Sequence, residues 1–462
     1  MKKEKNIHFE ISERKILLKL MDVFTVLFFL YVVAELGQVE YFLSIFRTPI
    51  YLIVFIFYIS FFCTLFEMYN LQTASNQQQI IKSITFSSFA IAVFYIITPI
   101  LSPVLPNKRF QIFLLLSILF VSLIAWRLFY LKFFTSVRFH KNVIFVGSQL
   151  RVTKLANELE KVDPHYKVRA IINASQYETK ESINFKELEL DQVESFIQEN
   201  GISEIVIADK DKLAIQSLFV TILLKALEKG IVVREFNEVY ESTTYRLPIL
   251  DSDKKIYTYF LFGRSNTNKL YLLSIRIFDI CFALFGLLVL LFLLPFIATL
   301  NLIANRGPLF YKQERVGQFG KSFNVYKLRS MVVDAEKNGA QFAQKNDGRI
   351  TPFGKFIRKS RLDEVPQFFN VLKGEMSIIG PRPERPIFVD QIAEVMPLYR
   401  TRHVVKPGLT GWAQVKYSYG STIDDSLVKL QYDLYYIKNR SLSLDINILI
   451  KTLNTVLFFK GQ

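Results

Sequence analysis

The chain has 462 residues, 51% of them hydrophobic and 15% aromatic, with a formal charge of +16. That balance excludes an ordinary single-domain soluble protein and points to membrane segments with anionic partners: lipid head groups, phosphorylated substrates or nucleic acid. Cys63 and Cys281 lie in apolar runs, which excludes a disulfide framework, and His8, His140, His165 and His403 lack the spacing of a zinc site.

Four apolar stretches come first, at Ile16–Leu36, Ile50–Tyr69, Ser83–Leu105 and Phe110–Phe134. Each approaches the ~20 residues a helix needs to cross hydrocarbon, so residues 1–140 are expected to form a four-helix transmembrane bundle. No small-residue cleavage site follows the first run, so a cleavable signal peptide is not expected. Basic residues precede the first run (Lys2, Lys3, Lys5, Arg14, Lys15, Lys19) and close the fourth (Arg127, Lys132, Arg138, Lys141). An even number of spans with basic flanks places both ends in the cytoplasm, although Lys108 and Arg109 fall in an expected external loop.

Residues 141–245 read differently. Short apolar strands at Val143–Val146, Ile205–Ala208 and Ile231–Arg234 alternate with helical patterns, the signature of a Rossmann-like parallel α/β domain. The first turn reads Gly147-Ser-Gln-Leu-Arg-Val, one glycine where a dinucleotide site needs three, so no dinucleotide is expected. Regulation and homo-oligomerisation are both open as roles, and no residue demands either. Residues 246–268 serve as a linker.

The last domain, residues 269–462, opens with the apolar run Ile277–Ile303, interrupted by Pro295 and flanked on both sides by basic residues. As one straight helix it would reach ~40 Å. Two courses are open: a plain crossing, which would put everything after Arg306 outside, or a re-entrant hairpin broken at Pro295 with both ends in the cytoplasm. From Asn305 onward 25 Lys and Arg face 14 Asp and Glu, so most of the surplus positive charge lies here, beside an apolar run rather than on a nucleic-acid-like domain. Gly317-Gln-Phe-Gly-Lys-Ser322 imitates a phosphate-binding loop, but two residues separate its glycines where four are needed. It reads as a surface turn.

Asp363 and Glu364 stand together among Arg358, Lys359 and Arg361, with Arg382 further on. Pro366 is tolerated only in the first turn of a helix, which predicts a helix over Val365–Leu372 beginning near Asp363, with that carboxylate at or beside the N-cap. Both carboxylates would then lie at the positive end of a helix. Ionised carboxylates among cations suit a site where one attacks phosphorus and its neighbour holds magnesium.

Several ordered motifs carry a family resemblance: Tyr326-Lys-Leu-Arg-Ser-Met331, Arg361-Leu-Asp-Glu364, Asn370-Val-Leu-Lys-Gly-Glu-Met-Ser-Ile-Ile-Gly-Pro-Arg-Pro383, Lys406-Pro-Gly-Leu-Thr-Gly-Trp-Ala-Gln-Val415 and Leu430-Gln-Tyr-Asp-Leu-Tyr-Tyr-Ile-Lys-Asn439. From about Tyr271 to Phe459 the chain resembles the bacterial polyprenyl-phosphate hexose-1-phosphate transferases, or bacterial sugar transferases. Its preceding spans and degenerate Rossmann-like domain resemble the large branch, which includes undecaprenyl-phosphate glucose phosphotransferase. The resemblance implies a mainly helical, monotopic catalytic domain with a Pro-broken re-entrant helix at 277–303, facing the cytoplasm from the bacterial cytoplasmic membrane. It implies that Asp363 attacks the β-phosphate of a UDP-sugar, releasing UMP, and that undecaprenyl phosphate then takes the sugar phosphate, an initiating step of exopolysaccharide, capsule or O-antigen synthesis. Glu364 is associated with Mg2+ by the same match, and Lys327, Arg329, Arg358, Arg361 and Arg382 fall at phosphate-binding positions. Glucose is the family-level expectation for the sugar and galactose the next. Leu294 stands where smaller members often carry a serine, which loosens the expectation for the kink at Pro295.

Two other classes remain to be weighed. A membrane-tethered nucleotide-sugar epimerase or dehydratase needs the glycine fingerprint and a Tyr-x-x-x-Lys pair, yet Tyr399 is followed four residues later by His403. A scaffold for lipid-linked sugars would leave Asp363 and Glu364 dispensable.

Overall fold

The computed structural model describes residues 11–70, 74, 76–98, 100–106, 108–134, 141–147, 149–163, 166–173, 185–208, 217–249, 268–333, 335, 347–417, 420 and 422–457. It divides into two compact units, Met1–Thr244 and Tyr245–Gln462.

The first unit begins with α1 (Ile11–Leu36), α2 (Glu40–Arg47), α3 (Pro49–Leu65), α4 (Gln77–Ile97) and α5 (Phe110–Phe134). Helices α1, α4 and α5 are each long and apolar enough to cross a membrane. The second expected span takes another form. α3 has 17 residues, below the usual span, and meets α2 at a 97° bend. Thr48 is extended and Pro49 opens α3, so the missing proline N–H ends the α2 ladder there. Inside the bundle Arg127 of α5 donates to Asp22 of α1 at 2.6 Å, with both side chains sealed from solvent. A buried pair of this kind contributes little net stability but penalises any register that separates its members.

Five parallel strands follow: β1 (Lys141–Gly147), β2 (Tyr166–Asn173), β3 (Lys186–Glu187), β4 (Glu204–Ile207) and β5 (Val232–Glu235), in the order β3-β2-β1-β4-β5. Helices α6 (Gln149–Val162), α7 (Val193–Asn200), α8 (Ser217–Glu228) and α9 (Phe236–Thr244) connect and flank them. This is the strand order of a doubly wound sheet, its central β1 buried along nearly its whole length. Arg14 of α1 pairs with Asp163 just past α6 at 2.6 Å, so the first membrane helix is bonded to the α/β layer.

The second unit is built on α10 (Lys269–Ala304), 36 residues and so ~54 Å if straight. Its buried positions Tyr271, Ile275, Asp279, Ala283, Gly286, Ile297 and Asn301 form one face, and its other face is exposed and apolar. Where a break was expected at Pro295, the chain stays helical, with the proline inside one helix. Proline removes a single ladder bond, and Ile297 packed against Leu328 and Ile357 holds the chain to its path. Thr299 Oγ1 also donates to Pro295 O at 2.8 Å.

Beyond α10 come an antiparallel hairpin, β6 (Phe310–Val316) and β7 (Ser322–Leu328), and then α11 (Pro352–Lys359), a 3-10 turn (Leu362–Gln367) and α12 (Phe368–Lys373). β8 (Ser377–Ile379) pairs in parallel with β9 (Gly408–Thr410), and α13 (Pro386–Val395) with a 3-10 helix (Pro397–Val404) lies between them. α14 (Trp412–Lys416), α15 (Ile423–Asn439) and α16 (Leu442–Leu457) complete the unit. The expected false phosphate loop is the exposed tip of the β6–β7 hairpin, where Phe319 and Gly320 both take positive φ. Tyr245–Ile249, expected partly as linker, instead pack into this unit: Leu247 is core, and Tyr245 O accepts from the Trp412 indole. Of the expected linker, residues 250–267 lie outside the described residues.

Candidate active site

α10 supplies the floor. Arg276 donates to Val371 O and Leu372 O, both at 2.7 Å, and so caps the C-terminal carbonyls of α12. Asp279 accepts from Ser377 Oγ at 2.9 Å and Ile378 N at 2.8 Å, fixing the start of β8. At Gly286 any Cβ would collide with the Phe368 ring, so glycine there lets α12 sit directly on α10. At the other end Asn301 Nδ2 donates to Gly307 O at 3.0 Å, and Asn305 Nδ2 donates to Arg329 O at 2.9 Å. Both ends of α10 are thus bonded into one unit.

The acidic pair sits in the 3-10 turn just before α12, and here a second expectation is corrected. Asp363 is no helix cap. The residue preceding the turn is Arg361, held at φ +59°, and the α-helix proper starts only at Phe368. A left-handed Arg361 reverses the chain sharply after α11, and Pro366 is accommodated inside a turn too short to need its N–H. Direct cations, rather than a helix dipole, therefore face the pair.

Those cations treat the two carboxylates differently. Glu364 Oε1 accepts from Arg382 at 2.7 Å and from Arg361 at 3.3 Å. Burial alone would raise the Glu364 pKa, but Arg382, Arg361 and Lys327 hold it below the usual range. Asp363 is 8% exposed and accepts no hydrogen bond from the described residues. Burial and the charge of Glu364 raise its pKa, against the opposing pull of Lys327, Arg358 and Arg382. Lys327, on β7, is pushed down to about 8 by burial and by Arg315 and Arg382. One carboxylate is locked and ionised, and the other accepts no bond from the described residues.

Of the sequence-predicted residues the structure brings together Asp363, Glu364, Lys327, Arg358, Arg361 and Arg382. Arg329 is the exception. Its guanidinium turns to the end of α10, donates to Asn305 O at 2.9 Å and packs against Gly307. A cation over the last carbonyls of a helix is favourable there, so Arg329 braces α10 and stands outside the site. Among the described residues no cluster of three or more His, Cys, Asp or Glu could hold a metal ion. Magnesium usually takes one or two carboxylates and completes its shell with water and phosphates, and Glu364 Oε2 with Asp363 fits that habit.

Sequence reasoning missed what holds Arg382. A Cβ on Gly380, Gly408 or Gly411 would collide with the backbone facing it, so β8 and β9 approach as bare backbones directly behind Pro381. Arg315 donates to Pro383 O at 3.2 Å, and Arg402 to Arg382 O at 2.9 Å. The available signal was Pro381-Arg382-Pro383 itself, a run whose prolines can only accept.

The chain thus combines a parallel α/β layer, helices apolar enough to cross a membrane and a basic cluster around a buried acidic pair. A profile described as "Bacterial sugar transferase" matches residues 270–459. A UDP-N-acetylgalactosamine-undecaprenyl-phosphate N-acetylgalactosaminephosphotransferase of Aeromonas hydrophila is 52% identical over 160 residues, 35% of this chain and 38% of that one. A UDP-glucose:undecaprenyl-phosphate glucose-1-phosphate transferase of Klebsiella pneumoniae is 40% identical over 201 residues, 43% and 42% of the two chains. An uncharacterized sugar transferase of Bacillus subtilis, EpsL, is 36% identical over 190 residues, 40% of this chain and 88% of that one. The chain belongs to the bacterial sugar transferase family. It matches about two fifths of the length of the first two relatives.

Proposed function

We propose that this chain transfers hexose-1-phosphate from a UDP-sugar to undecaprenyl phosphate through a covalent intermediate on Asp363, as an initiating step of polysaccharide assembly. The observation that carries this is the contrast inside the acidic pair: a buried Asp363 that accepts no hydrogen bond from the described residues beside a Glu364 locked by Arg382. In the first step an Asp363 oxygen attacks the phosphorus bearing the sugar. The bond from that phosphorus to the bridging oxygen breaks, and its electron pair leaves on UMP. In the second step a phosphate oxygen of undecaprenyl phosphate attacks the same phosphorus, the bond to Asp363 breaks, and the carboxylate is restored.

Lys327, Arg358 and Arg382 screen the approach of two anionic substrates to an anionic nucleophile and stabilise charge on the transferring phosphoryl group. Arg361 assists by holding Glu364. Magnesium, bound through Glu364 and the donor phosphates, would supply further charge neutralisation. Relatives named for N-acetylgalactosamine and for glucose make both UDP-sugars first donors to try, with UDP-galactose beside them.

The reading places the protein in the bacterial cytoplasmic membrane with this unit facing the cytoplasm. Support comes from α10, whose two ends are bonded into one unit while Leu284, Leu288, Leu291 and Phe292 stay exposed. Such a helix suits an apolar side sunk into the near leaflet, with both ends at one face, where a lipid-bound acceptor presents its phosphate. Cysteine placed at Arg306 should label only from the cytoplasmic side; external labelling would overturn this topology.

The deciding experiment identifies the nucleotide released by purified protein given each UDP-sugar, magnesium and undecaprenyl phosphate. UMP from the wild type and none from Asp363→Ala supports the proposal. Release of UDP, or UMP from Asp363→Ala, overturns it.

A further inference from the structure

The segment Gly380–Arg385 has no regular secondary structure, yet four successive carbonyls are each held by a different residue. Pro381 O accepts from Gly408 N at 2.9 Å, Arg382 O from Arg402 Nη2 at 2.9 Å, Pro383 O from Arg315 Nη1 at 3.2 Å and Glu384 O from Val316 N at 2.9 Å. Two of these donors are backbone and two are guanidinium groups. Pro381 and Pro383 fix φ and offer no N–H, so the turn is specified almost wholly through what its oxygens receive. Arg382 lies at its centre, and its side chain reaches Glu364.

Arg402 is an expensive donor. It is 5% exposed, and the nitrogen that serves Arg382 O also bonds Asp433 Oδ2 on α15 at 2.7 Å, Asp433 being 1% exposed. Its other terminal nitrogen donates to the Tyr399 hydroxyl at 2.6 Å. Burying an ion pair to fill space is poor economy, since apolar residues of like volume commonly do as well or better. What the pair provides that apolar residues cannot is a rigid donor aimed at the carbonyl of residue 382. An arginine side chain is long and rich in rotamers, so a clamp at its tip depends on a backbone that does not move.

We infer that Arg402, held by Asp433, is a positioning residue that sets Arg382 against Glu364 for the transfer reaction, with Arg315 fixing the next carbonyl of the same turn. The geometry stands by itself; its consequence for rate rests on the transfer reading above. Loosening Arg402 should leave substrate binding nearly intact and cost turnover, because a misaligned clamp is felt most where phosphoryl charge develops.

The test uses the full chain in lipid nanodiscs with Arg402→Lys, Asp433→Asn, Arg382→Lys, the double variant Arg402→Lys/Arg382→Lys and the apolar pair Arg402→Met/Asp433→Leu. Amide exchange is read first, on peptides covering residues 362–367. Arg402→Lys and Asp433→Asn should raise exchange there, and Arg402→Lys should add nothing once Arg382 is already lysine. Turnover is read second. Arg402→Lys should lower kcat roughly 10- to 100-fold with little change in KM, and that penalty should largely vanish on the Arg382→Lys background. The apolar pair should regain thermal stability without regaining kcat. Exchange confined to residues 397–404 and α15, an undiminished penalty on the Arg382→Lys background, or full turnover from the apolar pair would each overturn the inference. Exchange is measurable whether or not any donor is consumed, so a failed transfer assay counts against the proposed reaction and leaves this arm to decide positioning.

Discussion

The Phe368 ring occupies the space that a side chain at Gly286 would need, so α12 and the acidic turn before it rest on bare helix backbone. Gly286→Ala should therefore lower the thermal midpoint, and Gly286→Leu more so, in the range of ~1–3 kcal/mol for overpacking a tight contact. Shrinking the opposing ring with Phe368→Leu should recover part of the loss. Calorimetry or thermal shift in detergent checks both steps.

Lys327 gives the site an alkaline limit. Burial and the neighbouring Arg315 and Arg382 lower its pKa from the ordinary 10.5 to about 8, so it is charged below that value and neutral above it. On the proposed reaction, turnover should fall as pH rises through about 8, where the cation beside Asp363 and Glu364 is lost. Arginine stays protonated throughout this range, so Lys327→Arg should move the limb upward even if it lowers the maximum rate. A pH–rate profile of the two proteins decides.

His403 sets an acid limit on stability. Burial, with Arg402 and Arg400 beside it, lowers its pKa from 6.5 to about 4. A depressed folded value means that the unfolded chain binds the proton more readily, so stability is complete above about 6.5 and drains away as pH falls toward about 4. His403→Gln should flatten the thermal midpoint across that window. An unchanged slope would show that other groups carry it.

Arg329 and Arg382 should part company under substitution. Arg329→Gln removes a buried bond to the end of α10, at a cost of about 1–3 kcal/mol in stability, with KM for the donor nearly unchanged. Arg382→Gln should act on the reaction, with a fall in kcat/KM exceeding any change in midpoint. Thermal shift and steady-state kinetics on the same preparations separate the two.

That contrast also marks how far the residues themselves could be read. Arg329 and Lys327 share one motif two positions apart, and alternation would put both side chains on one face of β7. The strand ends at Leu328, however, and Arg329 follows the chain toward Asn305. Clustered cations announce a charged site, but which of them reach it depends on where a strand stops. Periodicity revealed the apolar runs and the strands β1, β4 and β5, because each buries a local pattern. It could not reveal that the backbone stays helical at Pro295, where Ile297 packs with Leu328 and Ile357. The grip on Arg382 was equally hidden. Its parts come from positions 315, 402, 408 and 433, and no local pattern joins them.

Tyr245 stacks edge-on against Trp412, Lys416 lies over both rings, and Leu247 N bonds to Gln431 O. These contacts come from residues upstream of position 270, where the family profile begins. A fragment trimmed to the profile would leave the indole of Trp412 without its acceptor and open a hole in the core. It would invite aggregation for a reason unrelated to membrane insertion. For anyone preparing the catalytic half alone, the useful amino terminus lies ahead of Tyr245.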